Sequence, residues 1–271
     1  MTSMRAATFP DGSLRRTLRA VVEYDGTDFC GLQFQPHLRS VAGELETALT
    51  QILSEPVKIA AAGRTDAGVH ATGQVISFST GRDFPFERLT LALNSSLPSD
   101  IAVRDLVIVD DGFSARFSAR QRTYRYVILN RRTPSALLGR YSYHVYRPLD
   151  LALVERAADA LLGEHDFRSF CGVLPESGIT VRIMHGIHVT RTDDLVCVEV
   201  SADGFLHRMV RIIVGTLVEI ATGQRNVQDI RAIISARDRR ASGHTAPPQG
   251  LCLTGVRYPD FDSYSKTAFI I

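Results

Sequence analysis

The chain has 271 residues, of which 45% are hydrophobic and 22% charged, with a formal net charge of +2. This composition is typical of one large or two modest globular domains, and it excludes a fibrous or disordered chain. No apolar run approaches the ~20 residues that a membrane-spanning helix needs, and the N-terminal segment lacks the apolar stretch of a secretory signal. We therefore expect a cytoplasmic protein that does not enter a membrane.

Hydrophobic periodicity predicts two similar sets of elements along the chain. Ser40 can cap the first helix, and Asp150 can cap the first helix of the second half. In the first half the predicted elements are strand 18–24, helix 41–53, strands 57–62 and 73–80, helix 86–95 and strand 101–109. In the second half they are strand 122–130, a helix after residue 150, hairpin strands 180–190 and 195–201, a helix from residue 206 to before residue 223, a helix from residue 226 to about residue 237, and strand 250–258.

The order β-α-β-β-α-β predicts the fold class. We expect an α+β protein made of two ferredoxin-like or RRM-like halves, with a largely antiparallel sheet flanked by helices and a cleft between the halves. The predicted divisions are a flexible N-terminal tail at 1–17, an N-terminal half at 18–119, a C-terminal half at 120–262 and a C-terminal tail at 263–271.

The basic residues are almost all arginine, since Lys58 and Lys266 are the only lysines. Residues 112–148 contain no acidic residue, yet this stretch holds eight arginines interleaved with phenylalanines and tyrosines. Guanidinium groups bind phosphates, and aromatic rings stack on unpaired bases. The pattern favours RNA binding, with a solvated strand face as the alternative. The arginines nearest the junction of the halves are the candidate RNA contacts: Arg116, Arg120 and Arg122.

The cysteines and histidines do not indicate a metal or disulfide site. The four cysteines, Cys30, Cys171, Cys197 and Cys252, are far apart and form no C-x-x-C pair. His185 and His188 lack companion ligands nearby in the sequence. We expect no metal and no disulfide. The sequence also lacks the phosphate-binding loop and nucleophile-elbow motifs of nucleoside triphosphatases and serine hydrolases.

The segment most indicative of chemistry is Gly-Arg-Thr-Asp-Ala-Gly-Val-His at residues 63–70. It lies between two predicted strands, so its carboxylate, Asp66, would be presented by a tight loop on a rigid sheet. A carboxylate held in this way can serve as a nucleophile or a base. The alternative is an Asx turn, in which Asp66 only binds a nearby amide.

Short motifs continue through most of the chain. They are Glu23-Tyr24-Asp25-Gly26, Gly31 with Gln33, Ser40-Val41, residues 63–70 followed by Thr72-Gly73-Gln74-Val75, Phe117-Ser118-Ala119, Tyr124-Arg125-Tyr126, Asp166-Phe167, Phe205-Leu206-His207, Met209-Val210-Arg211 and residues 248–253. In these motifs the sequence resembles the tRNA pseudouridine synthase A family, over roughly residues 18–260. The resemblance implies isomerisation of uridine to pseudouridine at positions 38, 39 and 40 of the tRNA anticodon stem-loop, by a homodimer without a cofactor.

The same resemblance implies roles for individual residues. Asp66 falls on the catalytic aspartate, and Arg64 falls on the arginine that helps to displace the target base. Tyr124 falls on the tyrosine that stacks on the uracil, and Arg211 on the arginine that pairs with the catalytic carboxylate. A flipped uracil needs such an aromatic or apolar cradle to offset the stacking that it loses.

Two leucines, Leu251 and Leu253, lie in the motif that closes the apolar side of the pocket in this family. Three positions depart from the family pattern, because Leu32 replaces a usual tryptophan, Ala42 a common glutamine and Ile212 a usual asparagine. None of them replaces a catalytic role. The sequence leaves open whether the carboxylate attacks C1′ of the sugar, attacks C6 of the base, or acts through a glycal.

Two alternatives belong to other functional classes. A catalytically inert RNA-binding protein would use the arginine and tyrosine stretch alone and would tolerate the loss of Asp66. A metal-dependent nucleic-acid hydrolase would need clustered acidic or histidine ligands that the sequence lacks.

Overall fold

The computed structural model describes residues 7–8 and 14–264. Its strands are β1 (Ala7–Thr8), β2 (Leu14–Tyr24), β3 (Ala60–Ala61), β4 (His70–Thr80), β5 (Ile101–Val109), β6 (Gln121–Leu129), β7 (Tyr143–His144), β8 (Gly163–Asp166), β9 (Val181–Thr192), β10 (Leu195–Ala202) and β11 (Leu251–Arg257). Its α-helices are α1 (Val41–Leu53), α2 (Phe86–Ser96), α3 (Leu151–Asp159), α4 (Met209–Ala221) and α5 (Asp229–Ala236). The α+β class is confirmed.

The chain divides into two compact units, and β11 changes the boundary that the sequence predicts. Of the described residues, unit 1 contains 7–8, 14–120 and 253–264, and unit 2 contains 121–252. The sequence assigns 120–262 to the second half. In the structure the residues of β11 from Leu253 onward group with unit 1. The parts of the predicted tails at 1–6, 9–13 and 265–271 lie outside the described residues.

Strand β2 pairs with three other strands of unit 1. It pairs antiparallel with β4, where Val21 is opposite Val75, and antiparallel with β5, where Val22 is opposite Val103. The strand begins at Leu14, inside the predicted N-terminal tail, and pairs there with β1. The order β2-α1-β3-β4-α2-β5 agrees with the predicted β-α-β-β-α-β arrangement.

The predicted caps of two helices are confirmed. Ser40 Oγ accepts a hydrogen bond from Gly43 N at 3.2 Å at the start of α1. Asp150 accepts hydrogen bonds from Ala152 N at 3.0 Å and Leu153 N at 3.3 Å at the start of α3. Each side chain accepts hydrogen bonds from amides of the first helical turn, which have no partner within the helix. These helix starts can therefore be predicted from the sequence.

Unit 2 contains a second antiparallel arrangement. Strand β10 pairs with β6, where Val200 is opposite Tyr124, and with β9, where Val198 is opposite Val189. The predicted hairpin between β9 and β10 is confirmed, and its turn residue Asp193 has a φ of 51°. Strand β8 pairs antiparallel with β9, and β7 pairs parallel with β6.

Three of the differences from the predicted elements have a local cause in the structure. Helix α4 begins at Met209 rather than at residue 206, because the preceding Arg208 adopts a left-handed conformation. Helix α5 is not capped by Asn226. Its N-cap is Gln228, without a side-chain hydrogen bond, and Asp229 instead accepts from Asn226 N at 3.1 Å.

The third difference concerns the strand predicted at 57–62, of which only Ala60–Ala61 forms a strand, β3. The amide of Val57 donates to Thr50 Oγ1 at 3.2 Å, and that of Ile59 donates to Glu46 Oε1 at 3.2 Å. Both acceptors belong to α1, so these amides are satisfied by helix side chains and not by a neighbouring strand.

None of the helices in the described part of the chain has the length and apolar character that crossing a lipid bilayer requires.

Candidate active site

The loop between β3 and β4 forms a tight turn next to Asp66. The amide of Val69 donates to Asp66 O at 3.2 Å, and Gly68, the third residue of this turn, has a φ of +78°. A positive φ at that position defines a type II turn and favours glycine. Asp66 itself is half-buried, and Arg64 is exposed. The predicted tight loop is therefore present, with Arg64 exposed and Asp66 half-buried.

Hydrogen bonds to Gly63 and Thr65 attach this loop to the rest of unit 1. Tyr24 Oη and Thr65 Oγ1 lie 2.8 Å apart in a buried contact. The amide of Leu32 donates to Thr65 O at 3.1 Å. Gln74 Nε2, from a fully buried side chain on β4, donates to Gly63 O at 2.8 Å. The residue immediately before Asp66 is thus held through both its side chain and its main chain.

The segment at 25–32 packs closely against the same loop. Gly31 has a φ of +93°, and a Cβ there would lie 2.8 Å from Thr65 O. A Cβ on Gly26 would lie 2.0 Å from Val69 O. The Gly26 amide donates to His70 Nδ1 at 3.1 Å, and Asp25 Oδ1 lies 3.1 Å from the same nitrogen.

Arg39 fixes the far end of that segment. Its two Nη atoms donate to Asp100 at 2.7 and 2.9 Å, its Nε donates to Glu44 at 3.0 Å, and its guanidinium lies 4.1 Å from the centre of the Phe29 ring. The hydrogen bond to Asp100 is the largest cause of a raised pKa for Arg39. The sequence motifs do not predict this support, although they include the glycines at 26 and 31.

Unit 2 contains Tyr124, the residue predicted to stack on uracil. Tyr124 lies on β6, is 6% exposed, and meets the ring of Phe205 edge-on at a centroid distance of 5.1 Å and an interplanar angle of 87°. Phe205 therefore holds the orientation of the Tyr124 ring. Leu251, also in unit 2, and Leu253, in unit 1, are both buried.

Arg211 lies in the first turn of α4, and the segment after α5 holds it. Its Nε donates to Ala246 O at 2.8 Å, and Ala246 N donates to Arg211 O at 3.0 Å. The neighbouring Tyr126 Oη donates to Pro247 O at 2.7 Å. Burial raises the pKa of Tyr126 well above its ordinary value, with the Arg211 guanidinium acting in the opposite direction, so the phenol stays a donor.

The three candidate RNA contacts differ in their surroundings. Arg116 and Arg120 are exposed in unit 1, and the Arg116 guanidinium lies 5.1 Å from the ring centre of Phe117, which is 80% exposed. Arg122, in unit 2, is half-buried, and its Nη1 donates to Asp203 O at 2.7 Å. Arg116 and Arg120 are therefore exposed, and Arg122 is half-buried and donates to a main-chain carbonyl.

The sequence of this chain matches a known family across both units. Residues 20–118 and 157–259 match the family model described as tRNA pseudouridine synthase. The chain belongs to the tRNA pseudouridine synthase family. The predicted family is confirmed, and so is the predicted enzyme class, an isomerase that converts uridine to pseudouridine in tRNA.

Individual relatives of the synthase family match over nearly their whole length. The tRNA pseudouridine synthase A of Moorella thermoacetica is 47% identical over 89% of this chain and 99% of that protein. Those of Shewanella denitrificans and Brevibacillus brevis are 45% and 44% identical, over 91% and 90% of this chain and 95% and 100% of the relatives. A chain in the crystal structure of a Cbf5-Nop10-Gar1 complex matches with a TM-score of 0.33 and 12% identity, over 87% of this chain and 57% of that one, a score too low to support any argument.

Within residues 7–8 and 14–264, no three His, Cys, Asp or Glu side chains converge in a way that could hold a metal ion.

Proposed function

We propose that this synthase isomerises the uridines at positions 38, 39 and 40 of the tRNA anticodon stem-loop, and that Asp66 is its catalytic carboxylate. The observation that carries the proposal is the attachment of the Asp66 loop. Thr65 is held by Tyr24 and Leu32, while Asp66 itself is half-buried at the start of a type II turn. A carboxylate held in this way loses little freedom when it meets its substrate, which is the arrangement that catalysis favours.

The reaction is a redox-neutral rearrangement of one nucleotide. The N1–C1′ bond breaks, the uracil turns while it remains bound, and a C5–C1′ bond forms as C5 loses its proton and N1 gains one. No electron carrier or hydrolytic water is consumed, which supports our proposal of a cofactor-free reaction. Water has to be excluded while the base is detached, because capture of the sugar by water would leave an abasic site.

The other site residues have distinct proposed roles in this reaction. Tyr124 stacks on the flipped uracil, and Phe205 holds its ring in place. Arg211 orients the carboxylate of Asp66, and Arg64 helps to displace the target base. Leu251 and Leu253 close the apolar side of the pocket.

The proposed RNA path uses Arg116, Arg120 and Arg122. Exposed guanidinium groups neutralise phosphates, and the exposed ring of Phe117 offers a face for an unpaired base. By the family resemblance we also propose a homodimer in the cytoplasm. Sedimentation of the purified chain measures its oligomeric state.

Mapping of pseudouridine tests the reaction and its positions. Purified protein is incubated with unmodified transcripts that carry a single uridine at position 38, 39 or 40, and the product is mapped at nucleotide resolution. We expect pseudouridine at all three positions. Transcripts with uridine only elsewhere in the anticodon arm should stay unmodified, and modification confined to such other uridines would refute the assigned positions.

The role of Asp66 is tested by Asp66→Asn, with Asp260→Asn as the matched control on an exposed aspartate of the same unit. Asp66→Asn keeps the shape of the side chain and removes its charge and nucleophilicity. We expect turnover to be lost and tRNA affinity to stay within a few-fold, and we expect Asp260→Asn to behave as the unaltered protein. Substantial turnover in Asp66→Asn would contradict the proposed role.

A further inference from the structure

Helix α4 has only two residues that are not buried, Arg211 and Glu219. They lie eight residues apart, close to the spacing of two helical turns, and therefore on similar sides of the helix. Both bind residues 242–247, a segment that we call the strap. The two charged side chains of this otherwise buried helix therefore hold the strap at two separate points.

The strap runs along α4 from Glu219 to Arg211. Gly243 N donates to Thr216 Oγ1 at 2.9 Å, and His244 N donates to Glu219 Oε1 at 2.8 Å. At the other end, Ala246 exchanges the two hydrogen bonds with Arg211 described above. Thr216, Glu219 and Arg211 of α4 thus form hydrogen bonds with Gly243, His244 and Ala246 of the strap, respectively.

A glycine in α4 allows this close contact. A Cβ on Gly215 would lie 1.9 Å from His244 O, a separation at which the helix and the strap cannot both keep their positions. Any other residue at this position would push the strap away from the helix. The approach of the strap is therefore part of how α4 packs.

Further side chains hold the strap from its other side. Arg239 Nη1 donates to Ser242 Oγ and to Gly243 O, both at 2.9 Å, and its Nη2 donates to Thr245 Oγ1 at 3.0 Å. Tyr126 holds Pro247 O, as described above. The Ala246 carbonyl that accepts from Arg211 therefore sits between fixed neighbours.

Glu219 is the charged anchor of the strap. Its Oε1 also lies 2.9 Å from His244 Nδ1, and its Oε2 accepts from Arg225 Nε at 3.1 Å. Burial by itself raises the pKa of Glu219, but the hydrogen bonds from His244 and Arg225 outweigh it, and the pKa is lowered. The group is thus a carboxylate that holds both the main chain and the side chain of His244.

The chain of contacts continues to Tyr143, whose Oη lies 3.3 Å from His244 Nε2. This order of carboxylate, imidazole and hydroxyl superficially resembles a nucleophilic triad. However, burial and the nearby Glu219 raise the pKa of Tyr143, so its hydroxyl stays protonated. An activated nucleophile needs the opposite shift. The cluster is therefore suited to holding the strap and not to a second reaction.

We propose that Glu219 is a positioning residue for the reaction, which sets the orientation of the Arg211 guanidinium through the strap. The guanidinium is planar, so a hydrogen bond from Nε to a fixed carbonyl sets the plane in which its remaining donors point. Movement of Ala246 O would turn that plane. This inference rests on the proposed role of Arg211.

The test compares turnover in four proteins: the unaltered chain, Glu219→Ala, Arg211→Ala and the double variant. We expect Glu219→Ala to lower kcat about tenfold, because the Arg211 guanidinium is then misaligned. KM for tRNA should stay within about twofold. In the Arg211→Ala background, Glu219→Ala should lower kcat by less than about twofold, because the group that it positions is gone. Glu219→Gln, which keeps an oxygen acceptor for His244 N, should recover most of kcat.

Glu199→Ala is the matched control. Glu199 lies on β10 of the same unit, has a similar exposure, and pairs with Arg125 at 3.1 Å, so its loss removes an ion pair that includes no residue of the strap. We expect its kcat to be unchanged. If Glu219→Ala fails to fold, Thr216→Val removes the hydrogen bond to Gly243 N and is expected to lower kcat with KM unchanged.

The possible results separate this inference from the proposed function. If Arg211→Ala loses kcat but Glu219→Ala and Thr216→Val keep it, the inference is overturned and the role of Arg211 stands. If the effects of Glu219→Ala and Arg211→Ala multiply, Glu219 acts independently of Arg211 and the inference is overturned as well. If Arg211→Ala keeps full kcat, both the role of Arg211 and this inference are wrong, while the assignment of Asp66 is tested separately by Asp66→Asn.

Discussion

The hydroxyl groups of Tyr24 and Thr65 lie 2.8 Å apart in a buried contact that joins β2 to the loop next to Asp66. The main-chain oxygen of Thr65 accepts a second hydrogen bond, from Leu32 N. Because the neighbouring residue is held in two ways, the Cα of Asp66 has little freedom to move. Loss of either contact should therefore affect the reaction more than the overall fold.

Tyr24→Phe removes the hydroxyl contact and leaves the ring in place. We expect the free energy of unfolding to fall by about 1 kcal/mol and kcat to fall severalfold, with tRNA affinity unchanged. Thr17→Val is the control, because Thr17 Oγ1 pairs with Ser79 Oγ at 3.1 Å in a hydroxyl contact between β2 and β4 that does not involve the loop. It should cost similar stability and leave kcat unchanged. Equal losses of kcat in both variants would show that the hydroxyl pair of Tyr24 has no specific role.

Gly31→Ala should disturb the loop by a different route. The residue has a φ of +93°, and the new Cβ would lie 2.8 Å from Thr65 O, so the change adds backbone strain of about 1–3 kcal/mol and pushes on the loop. Gly163→Ala is matched in φ, at +89°, but has nothing within 4 Å of its Cβ. Urea unfolding should show a loss of stability in both variants. Turnover should fall in Gly31→Ala alone, and unchanged turnover there would mean that the loop tolerates displacement.

The salt dependence of tRNA binding tests the arginine assignments. Arg116→Gln and Arg120→Gln should each reduce the slope of log affinity against log salt by up to ~1, because each guanidinium releases a counterion from a phosphate. Arg122→Gln should reduce it less, since this side chain already donates to Asp203 O. Unchanged slopes in all three variants would place the RNA elsewhere.

Phe117→Leu tests for stacking on the exposed ring of the same segment. We expect it to weaken tRNA binding by about 1–3 kcal/mol without changing the salt slope, because base stacking releases no counterions. Leu137→Ala, at an 85% exposed residue of unit 2, is the control for loss of surface apolar area. If both variants bind alike, Phe117 does not stack on a base.

The lowered pKa of Glu219 predicts how stability depends on pH. A carboxyl group whose pKa is lower in the folded protein stabilises the fold above its unfolded pKa, and this stabilisation disappears as the pH falls through the folded pKa. The ordinary pKa of this group is 4.5. The unfolding free energy of the unaltered protein should therefore exceed that of Glu219→Gln at about pH 5.5, and the difference should narrow toward about pH 3. Urea titrations across this range measure it, and a constant difference would contradict the shift.

The sequence by itself determined the features that depend on neighbouring residues. Ser40 and Asp150 were correctly predicted as caps, because a cap binds amides only two or three residues away. The β-α-β-β-α-β order followed from apolar periodicity, and the enzyme family followed from motifs such as residues 63–70, while the role of Asp66 stays a prediction.

Only the tertiary structure decided the features that depend on distant residues. The side chains of Glu46 and Thr50 bind amides of the strand predicted at 57–62, and the residues of β11 from Leu253 onward group with unit 1. The contacts of the strap could not be predicted from the sequence for the same reason, since Glu219 and His244 lie 25 residues apart. Local periodicity records which face of an element is apolar, but a hydrogen bond between segments far apart in sequence depends on where packing brings them. That placement exists only in the folded chain.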